Sequence, residues 1–303
     1  MIRANAIGYT NEVKELLQKS MLTMTPREID IWMEEVFEPE NMLLYIEDDT
    51  VTSCMQIKKR NYSYQKQVCR ASVVTLACTL PDYRQRGQFT ALLDAFLDQA
   101  AVNDLVSMVY TPTPKLFEQR SFLPISHTKM YRINSSKCQK GSDYHVHSWT
   151  DKIDLYDTYL KFMDYFDGSV ILTKKEFEDK LHYELSCRKK IVYMKDHGEI
   201  QGFAIYKNCK DYIRIDVLVY FNADAIYDLF RYLSIRTELI NFTVTEDERF
   251  EKLFDFEYPR TTGTVLVRLN NYMLFNKWAK NQVHNAKEAY QNLDNSGWNH
   301  FID

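Results

Sequence analysis

The sequence predicts an α/β protein of the α+β kind, with two domains in which sheets are flanked by helices. Three observations predict it. Strand-type segments alternate with segments of 3.6-residue helical period along the chain. At 303 residues there is room for two domains, each able to bury its own core. The second half also repeats the first, faintly. Lys115-Leu116-Phe117-Glu118 and then Arg132-Ile133-Asn134 have counterparts in Lys252-Leu253-Phe254-Asp255 and Arg268-Leu269-Asn270, and a proline (Pro124, Pro259) lies inside each interval. Chance similarity of two short strings is the competing explanation.

Residues 1–6 fit a first strand. Thr10 or Asn11 caps a helix carrying Val13, Leu16 and Leu17, and Thr25-Pro26 opens another with Ile29, Trp32, Met33 and Val36. Residues 42–47 and 51–60 read as a hairpin across Asp48-Asp49-Thr50. Residues 67–79 are the central strand, an unbroken β-type run from Val73 that reads as buried on both faces. Pro81 ends it, having no N–H to give the ladder. After Gly87 the period changes, and Phe89, Leu92, Leu93, Phe96, Leu97, Ala100 and Ala101 fall on one helical face. Residues 105–110 fit a fifth strand and 112–121 a short helix, while Ile125 and residues 128–133 finish the unit.

The polar stretch 134–148 lacks apolar periodicity and marks a domain boundary. Helical patterns at 155–166 and 174–185 then precede strands at 191–195, 200–206 and 213–220. A helix at 223–235 and strands at 239–244 and 264–269 follow. The expected organisation is a domain at 1–135, a second at 149–270 and a tail at 271–303. That tail carries Tyr272, Leu274, Phe275 and Trp278, a helix at 282–290, and an end apolar enough to dock on the protein.

Composition narrows the classes. Hydrophobic content of 45% and charge of 26% are ordinary for a soluble protein, and 21 Tyr with 17 Phe suggest aromatic-lined cores or clefts. A net charge of −4 gives no global electrostatic case for nucleic acid. No apolar run approaches the ~20 residues that span a bilayer, so no membrane association is expected. The first six residues hold no apolar signal core, so a cytoplasmic location is expected. The six cysteines show no Cys-x-x-Cys spacing and read as small buried thiols. His145-x-His147 sits in a polar connector without other ligands, so no metal site is expected.

The junction at Tyr83-Arg84-Gln85-Arg86-Gly87-Gln88-Phe89 has the outline of a phosphate site. The first N–H groups of a helix lack internal partners, and the aligned peptide dipoles make that end partly positive. Gly87 lets backbone approach an anion, and Arg84 and Arg86 add charge. The stretch is neither a Walker A element nor a three-glycine dinucleotide fingerprint. The competing reading is a surface turn with solvated arginines.

The segment Leu80-Pro81-Asp82-Tyr83-Arg84-Gln85-Arg86-Gly87-Gln88-Phe89 resembles the acetyl-CoA pyrophosphate loop of the GNAT superfamily of N-acetyltransferases, with the pattern Arg/Gln-x-x-Gly-x-Gly/Ala. Arg84 and Gly87 match, and Phe89 replaces Gly or Ala, as in the tandem-GNAT branch of the "enhanced intracellular survival" acetyltransferases. That branch's sterol-carrier-like third domain is not expected in this chain. The resemblance implies two GNAT-like domains, each a mixed, mostly antiparallel twisted sheet flanked by helices. The second is degenerate, because Phe221-Asn222-Ala223-Asp224 after its central strand has neither glycine nor arginine.

By the same resemblance, Ala77, Cys78 and Thr79 pair with the pantetheine arm and bind the acetyl carbonyl, and pyrophosphate sits on the N–H groups of Gln85, Arg86, Gly87, Gln88 and Phe89. For Ala77–Thr79 plain sheet interior is the competing role. The family acid is commonly a Tyr in the short fourth helix, and Phe117 stands there, with no proton to give. Tyr110 is the first substitute, although packing alone also accounts for it. The family branch brings its terminal carboxylate to the active site as a base, a role the resemblance gives here to Asp303; the competing expectation is a tail that packs only on the second half. Glu47 and Asp48 are alternative bases or solvated hairpin-tip residues.

The expected function is acetyl-CoA-dependent transfer of acetyl to a primary amine of a small molecule or peptide. The alternative is a non-catalytic acyl-CoA-binding or regulatory protein that has lost its acid at Phe117. A third is a two-domain interaction module that binds no CoA. Homo-oligomerisation is left open.

Overall fold

The computed structural model describes residues 1–254, 259–291, 293, 297, 298 and 300. In chain order its elements begin β1 (Ile2–Arg3), α1 (Thr10–Ser20), α2 (Pro26–Glu35), β2 (Met42–Glu47), β3 (Thr50–Tyr64), β4 (Gln67–Thr79), α3 (Gln88–Asn103), β5 (Val106–Thr111) and α4 (Lys115–Glu118). They continue β6 (Leu123–Asn134), β7 (Val146–Ser148), α5 (Tyr156–Met163), β8 (Ser169–Ile171), α6 (Lys174–Ser186), β9 (Lys190–Asp196), β10 (Glu199–Asn208), β11 (Ile213–Tyr220) and α7 (Ala223–Ser234). The last are β12 (Leu239–Thr245), β13 (Arg260–Leu269), α8 (Tyr272–Ala279) and α9 (Ala286–Gln291). The chain forms two compact units, one from residues 1–123 and 266–291, the other from 124–265 and the described residues beyond 291.

In the first unit the strand order is β1-β2-β3-β4-β5, followed by the last residues of β13. The β2–β3 and β3–β4 turns are two-residue connections whose central pairs, Asp48-Asp49 and Gln65-Lys66, all have positive φ, between 48° and 59°. Such turns match the right-handed twist of antiparallel strands and set their register. Thr25 caps α2 through a capping box with Glu28, as the Thr-Pro start suggests.

β3 runs four residues beyond its expected end. Tyr62 and Tyr64 on that extension are buried, and their hydroxyls bond to α9. The Tyr62 hydroxyl donates to the Tyr290 hydroxyl at 2.7 Å and the Tyr64 hydroxyl donates to the Ala289 carbonyl at 2.9 Å. The tail contains two helices, broken at Lys280, whose left-handed φ of +52° ends α8.

α3 lays Leu92, Leu93, Phe96, Leu97 and Ala100 on a sheet face made by Leu43, Met55, Ile57, Val74 and Val109. Burying each of the larger side chains is worth about 1.5–3 kcal/mol. Asp104, just past the helix, is buried and accepts hydrogen bonds from Ser72 at 2.6 Å and from Lys59. Those contacts tie the helix end to β3 and β4.

In the second unit the order is β13-β6-β12-β11-β10-β9-β7, where β13 contributes its first residues. β7, a three-residue strand, lies in the stretch read from sequence as a connector and pairs with β9 at Val192 to Met194. His147 packs on the Tyr193 ring there, with centroids 5.5 Å apart. The core gathers Ile226, Leu229, Phe230 and Leu233 of α7 with Tyr131, Phe242 and Phe250, and Tyr131 stacks on Phe242 at 5.4 Å and 14°.

Both units bend their central strand at the same structural point. In β4, Thr75 is an extra residue between Val74 and Leu76, which pair with Ile57 and Gln56. In β11, Asp216 is the extra residue between Ile215 and Val217, which pair with Tyr206 and Ile205. Each bulge sits where the central strand leaves its parallel neighbour: β4–β5 pairing stops at Val74–Val109, and β11–β12 pairing stops at Ile215–Phe242. A bulge kinks the strand and adds twist, and so opens a wedge between two parallel strands.

Asp104→Ala is expected to cost about 2 kcal/mol, because Ser72 and Lys59 lose a buried acceptor. The check is a fall in the urea midpoint, with Asp104→Asn falling less because its amide oxygen still accepts from Ser72.

Candidate functional site

The wedge of the first unit begins at Thr75, and β4 continues through Leu76, Ala77, Cys78 and Thr79 after β5 has parted from it. Ala77, Cys78 and Thr79 are all half-buried. β3 braces their other side: Ser53 Oγ donates to the Cys78 carbonyl at 2.9 Å and lies 2.8 Å from Thr79 Oγ1. Cys78 Sγ is 3.5 Å from Cys54 Sγ on β3. The bond to Cys78, with burial, pushes the Cys54 thiol well above its ordinary range.

Pro81–Tyr83 form a single 3-10 turn, closed by the Tyr83 N–H on the Leu80 carbonyl at 2.9 Å. The loop then uses two left-handed residues, Gln85 at φ +62° and Gly87 at φ +77°. No side chain caps α3. Its first bond is Ala91 N–H to the Gly87 carbonyl at 2.9 Å, so the amides of Gln88, Phe89 and Thr90 precede the helical ladder. A Cβ added at Gly87 would meet nothing within 4 Å. Exposed backbone, helix dipole and space for an anion therefore coincide at this turn.

The two arginines are not merely solvated. Arg84 Nε donates to the Thr79 carbonyl at 3.3 Å and closes the loop on the strand end. The Arg86 guanidinium lies over the Tyr83 ring at 4.8 Å from its centroid, with Nη1 3.9 Å from Glu47 Oε1. Gln88 is 3% exposed, and its Nε2 donates to Glu47 Oε2 at 2.8 Å. Glu47, read from sequence as an alternative base or hairpin-tip residue, is thus held by the loop. Asp48 is one of the two residues of the β2–β3 turn.

The acetyltransferase (GNAT) domain family model matches residues 1–122. These residues are a GNAT domain. The fold extends over most of the chain: a probable N-acyltransferase from Enterococcus faecalis superposes with a TM-score of 0.74 at 13% identity, covering 89% of this chain and 72% of that one. A GCN5-related N-acetyltransferase from Anabaena variabilis gives 0.74 at 13% identity, covering 90% and 73%. Eis1 from Mycobacterium abscessus gives 0.63 at 15%, covering 90% and 74%. At such identities the likeness is one of fold. No match is found among curated proteins. Residues 2–134 follow the GNAT element order expected from sequence, β-α-α-β-β-β-α-β-α-β, of which the last strand, β6, belongs to the second unit from residue 124 on. No helix among the described residues is long and apolar enough to cross a membrane.

At the two positions where this GNAT domain departs from the family pattern, the side chains meet. Phe89 packs edge-on against Phe117, with centroids 5.2 Å apart at 84°, and Phe117 packs in turn on Phe122 at 5.6 Å. Phe89 therefore turns into the α3 core, and Phe117 is 3% exposed. α4, which carries Phe117, is followed by Arg120, whose Nη2 donates to Asp94 of α3 at 2.9 Å. Tyr110 is on β5, half-buried, one residue beyond the last β4–β5 pair. Asp303 lies outside the described residues.

In the second unit, the corresponding wedge is crossed by the chain's own side chains. Tyr220, at the end of β11, donates to Glu248 Oε1 at 3.0 Å, and Glu248 Oε2 accepts from the Thr245 N–H at 2.7 Å. Phe250 packs edge-on to Tyr220 at 5.6 Å. The His300 side chain is buried with Nε2 4.0 Å from Glu248 Oε2, and it bonds to the backbone of the bulge residue Asp216. Trp298 fills the space between His300, Phe162 and Tyr159. A cavity of about 580 Å³ in this unit, lined in part by Asp157, Lys161, Asp164, Tyr165 and Glu199, contains none of the site residues expected from sequence.

Burial, aided by Asp247, pushes the Glu248 carboxyl up from 4.5 to about 7. Burial pushes His300 down from 6.5 to about 4, against the opposing pull of Asp216. Stability from Glu248 is complete below pH 4.5 and is lost as pH rises towards 7, whereas that from His300 is complete above 6.5 and is lost as pH falls towards 4. Between about pH 4.5 and 6.5 the two slopes oppose and largely cancel. Glu248→Gln is expected to leave the His300 slope alone, so the urea midpoint of the variant rises with pH across this window while that of the wild type stays nearly flat.

Proposed function

We propose that the first unit is an acetyl-CoA-dependent N-acetyltransferase that transfers acetyl directly to a primary amine of a small molecule or peptide. The observation that carries the reading is the run from bulge to helix start: a strand splayed from its parallel neighbour, then an uncapped helix entered through Gly87, with open space where an added Cβ would point. The residues fit the ligand. Ala77, Cys78 and Thr79 lie on the splayed strand; the Cys78 and Thr79 carbonyls are met by Ser53 and Arg84, and the backbone groups left on the released edge are the proposed partners of a pantetheine amide chain. The amides of residues 85–89 suit a diphosphate, and Arg86 adds a guanidinium donor.

Acetyl-CoA supplies an acyl group activated as a thioester. The amine nitrogen lone pair attacks the acetyl carbonyl carbon, the C–N bond forms and the C–S bond breaks. The amine gives up one proton and the departing thiolate takes one. The protein holds both reactants in line, which lowers the entropic part of the barrier. Tyr110 is the proposed proton donor, because Phe117 has no proton and is packed between Phe89 and Phe122.

The burial of Phe117 also favours a second reading, an acyl-CoA-binding or regulatory protein without turnover. Calorimetry with acetyl-CoA and a free-thiol release assay over a panel of amines separate the two: binding with turnover supports the enzyme, and binding without it the regulator. Arg84→Ala combined with Gly87→Glu is expected to weaken acetyl-CoA binding at least about 100-fold, because the loop loses its tie to β4 and gains a carboxylate at a left-handed position. Unchanged affinity would reject both readings. Tyr110→Phe is expected to lower turnover about 100-fold, the scale of a general acid, with acetyl-CoA affinity unchanged.

A further inference from the structure

We propose that Glu47 is a positioning residue for the phosphate loop, tying Gln88 and Arg86 to the end of β2 so that the loop is held in its binding shape before the ligand arrives. The inference rests on the acyl-CoA reading of that loop.

Glu47 is the last residue of β2, paired with Thr50 across a two-residue turn, so its backbone is fixed by the sheet. Its two carboxylate oxygens face two different residues of the loop. Oε2 accepts from Gln88 Nε2 at 2.8 Å, and Oε1 is 3.9 Å from Arg86 Nη1. Gln88 is the first residue of α3, 3% exposed, with its own Oε1 buried and unpartnered among the described residues. Glu47 is therefore the group that meets the Gln88 N–H in the folded loop; its side chain is 38% exposed, so water takes its place as acceptor when it is removed, and what is lost is the fixed position of Gln88 rather than stability.

The contact with Arg86 is of another kind. At 3.9 Å it is an ion pair and not a hydrogen bond, so the guanidinium keeps its N–H donors while Tyr83 and Glu47 fix its place. Arg84, by contrast, commits Nε to Thr79. The Arg86–Glu47 side chains are 55% and 38% exposed, a setting in which an ion pair adds little to stability. What the pair supplies is orientation. Between Arg86 and Gln88 lies Gly87, and before them Gln85, both left-handed. Sparsely populated backbone states of this kind persist where the surroundings over-determine them, and Glu47 holds the loop on both sides of Gly87. A loop fixed in advance loses less freedom when it binds.

The test is a calorimetric titration of the full chain with CoA, alongside urea unfolding, for wild type, Glu47→Ala and Glu47→Gln. Glu47→Ala is expected to weaken CoA binding about tenfold, the scale of one charge-assisted hydrogen bond, with the urea midpoint unchanged. Glu47→Gln, whose amide oxygen still accepts from Gln88, is expected to restore affinity to within about threefold of wild type. CoA affinity unchanged in Glu47→Ala would overturn the proposal, as would a loss of affinity that follows a parallel fall in the urea midpoint or that Gln fails to rescue. Absence of CoA binding by the wild type would be a different failure, of the acyl-CoA reading itself.

Discussion

The one-residue bulge at Thr75 is the constraint on which the first unit depends. An antiparallel ladder with β3 holds β4 on one side for its whole length, while the parallel ladder with β5 ends at Val74. The extra residue turns β4 away from β5 without breaking it from β3. The strand thus remains rigid while one edge of its backbone is released from sheet pairing. Everything proposed for the site follows from that geometry. The released edge leads through Pro81 into the Arg84–Gly87 loop, and the loop leads into a helix whose packing on the same sheet fixes where its first amides point.

The second unit shows the same device put to a different use. Its central strand bulges at Asp216 and parts from β12 at the matching place, but Tyr220, Glu248, Phe250, Trp298 and His300 gather around the opening. Such a buried polar cluster is tolerable because Glu248 receives hydrogen bonds from both a hydroxyl and a backbone amide. The shared bulge is a stronger sign of internal repetition than the two short strings that suggested it, because it is a matched irregularity in backbone geometry.

Much of the fold was legible because the periodicities are strong. Residues 42–47, 67–79 and 213–220 read as strands and are strands with those limits. What was hidden was set by tertiary contact. The extension of β3 alternates tyrosines with polar residues, and only the hydroxyl partners at Tyr290 and Ala289 give it a buried face. β7 is too short for any period to appear. At the site, Arg84 and Gly87 were readable as a motif, since spacing along the chain carries that information. The role of Glu47 was not, because its partner Gln88 is 41 residues away. The fate of Phe89 was equally unreadable: the sequence marked it as a departure shared with the tandem branch, and only the fold sets its ring against Phe117.

The Tyr62–Tyr290 bond, between residues 228 positions apart, bears on how the protein is made. The first unit is discontinuous: the second is inserted within it, and the segment 266–291 returns to complete its sheet and cover its tyrosines. During vectorial synthesis the inserted unit therefore gains most of its residues before the earlier one can close. Until residue 290 emerges, the Tyr62 and Tyr64 hydroxyls, at the tip of the longest hairpin, lack their partners at Tyr290 and Ala289.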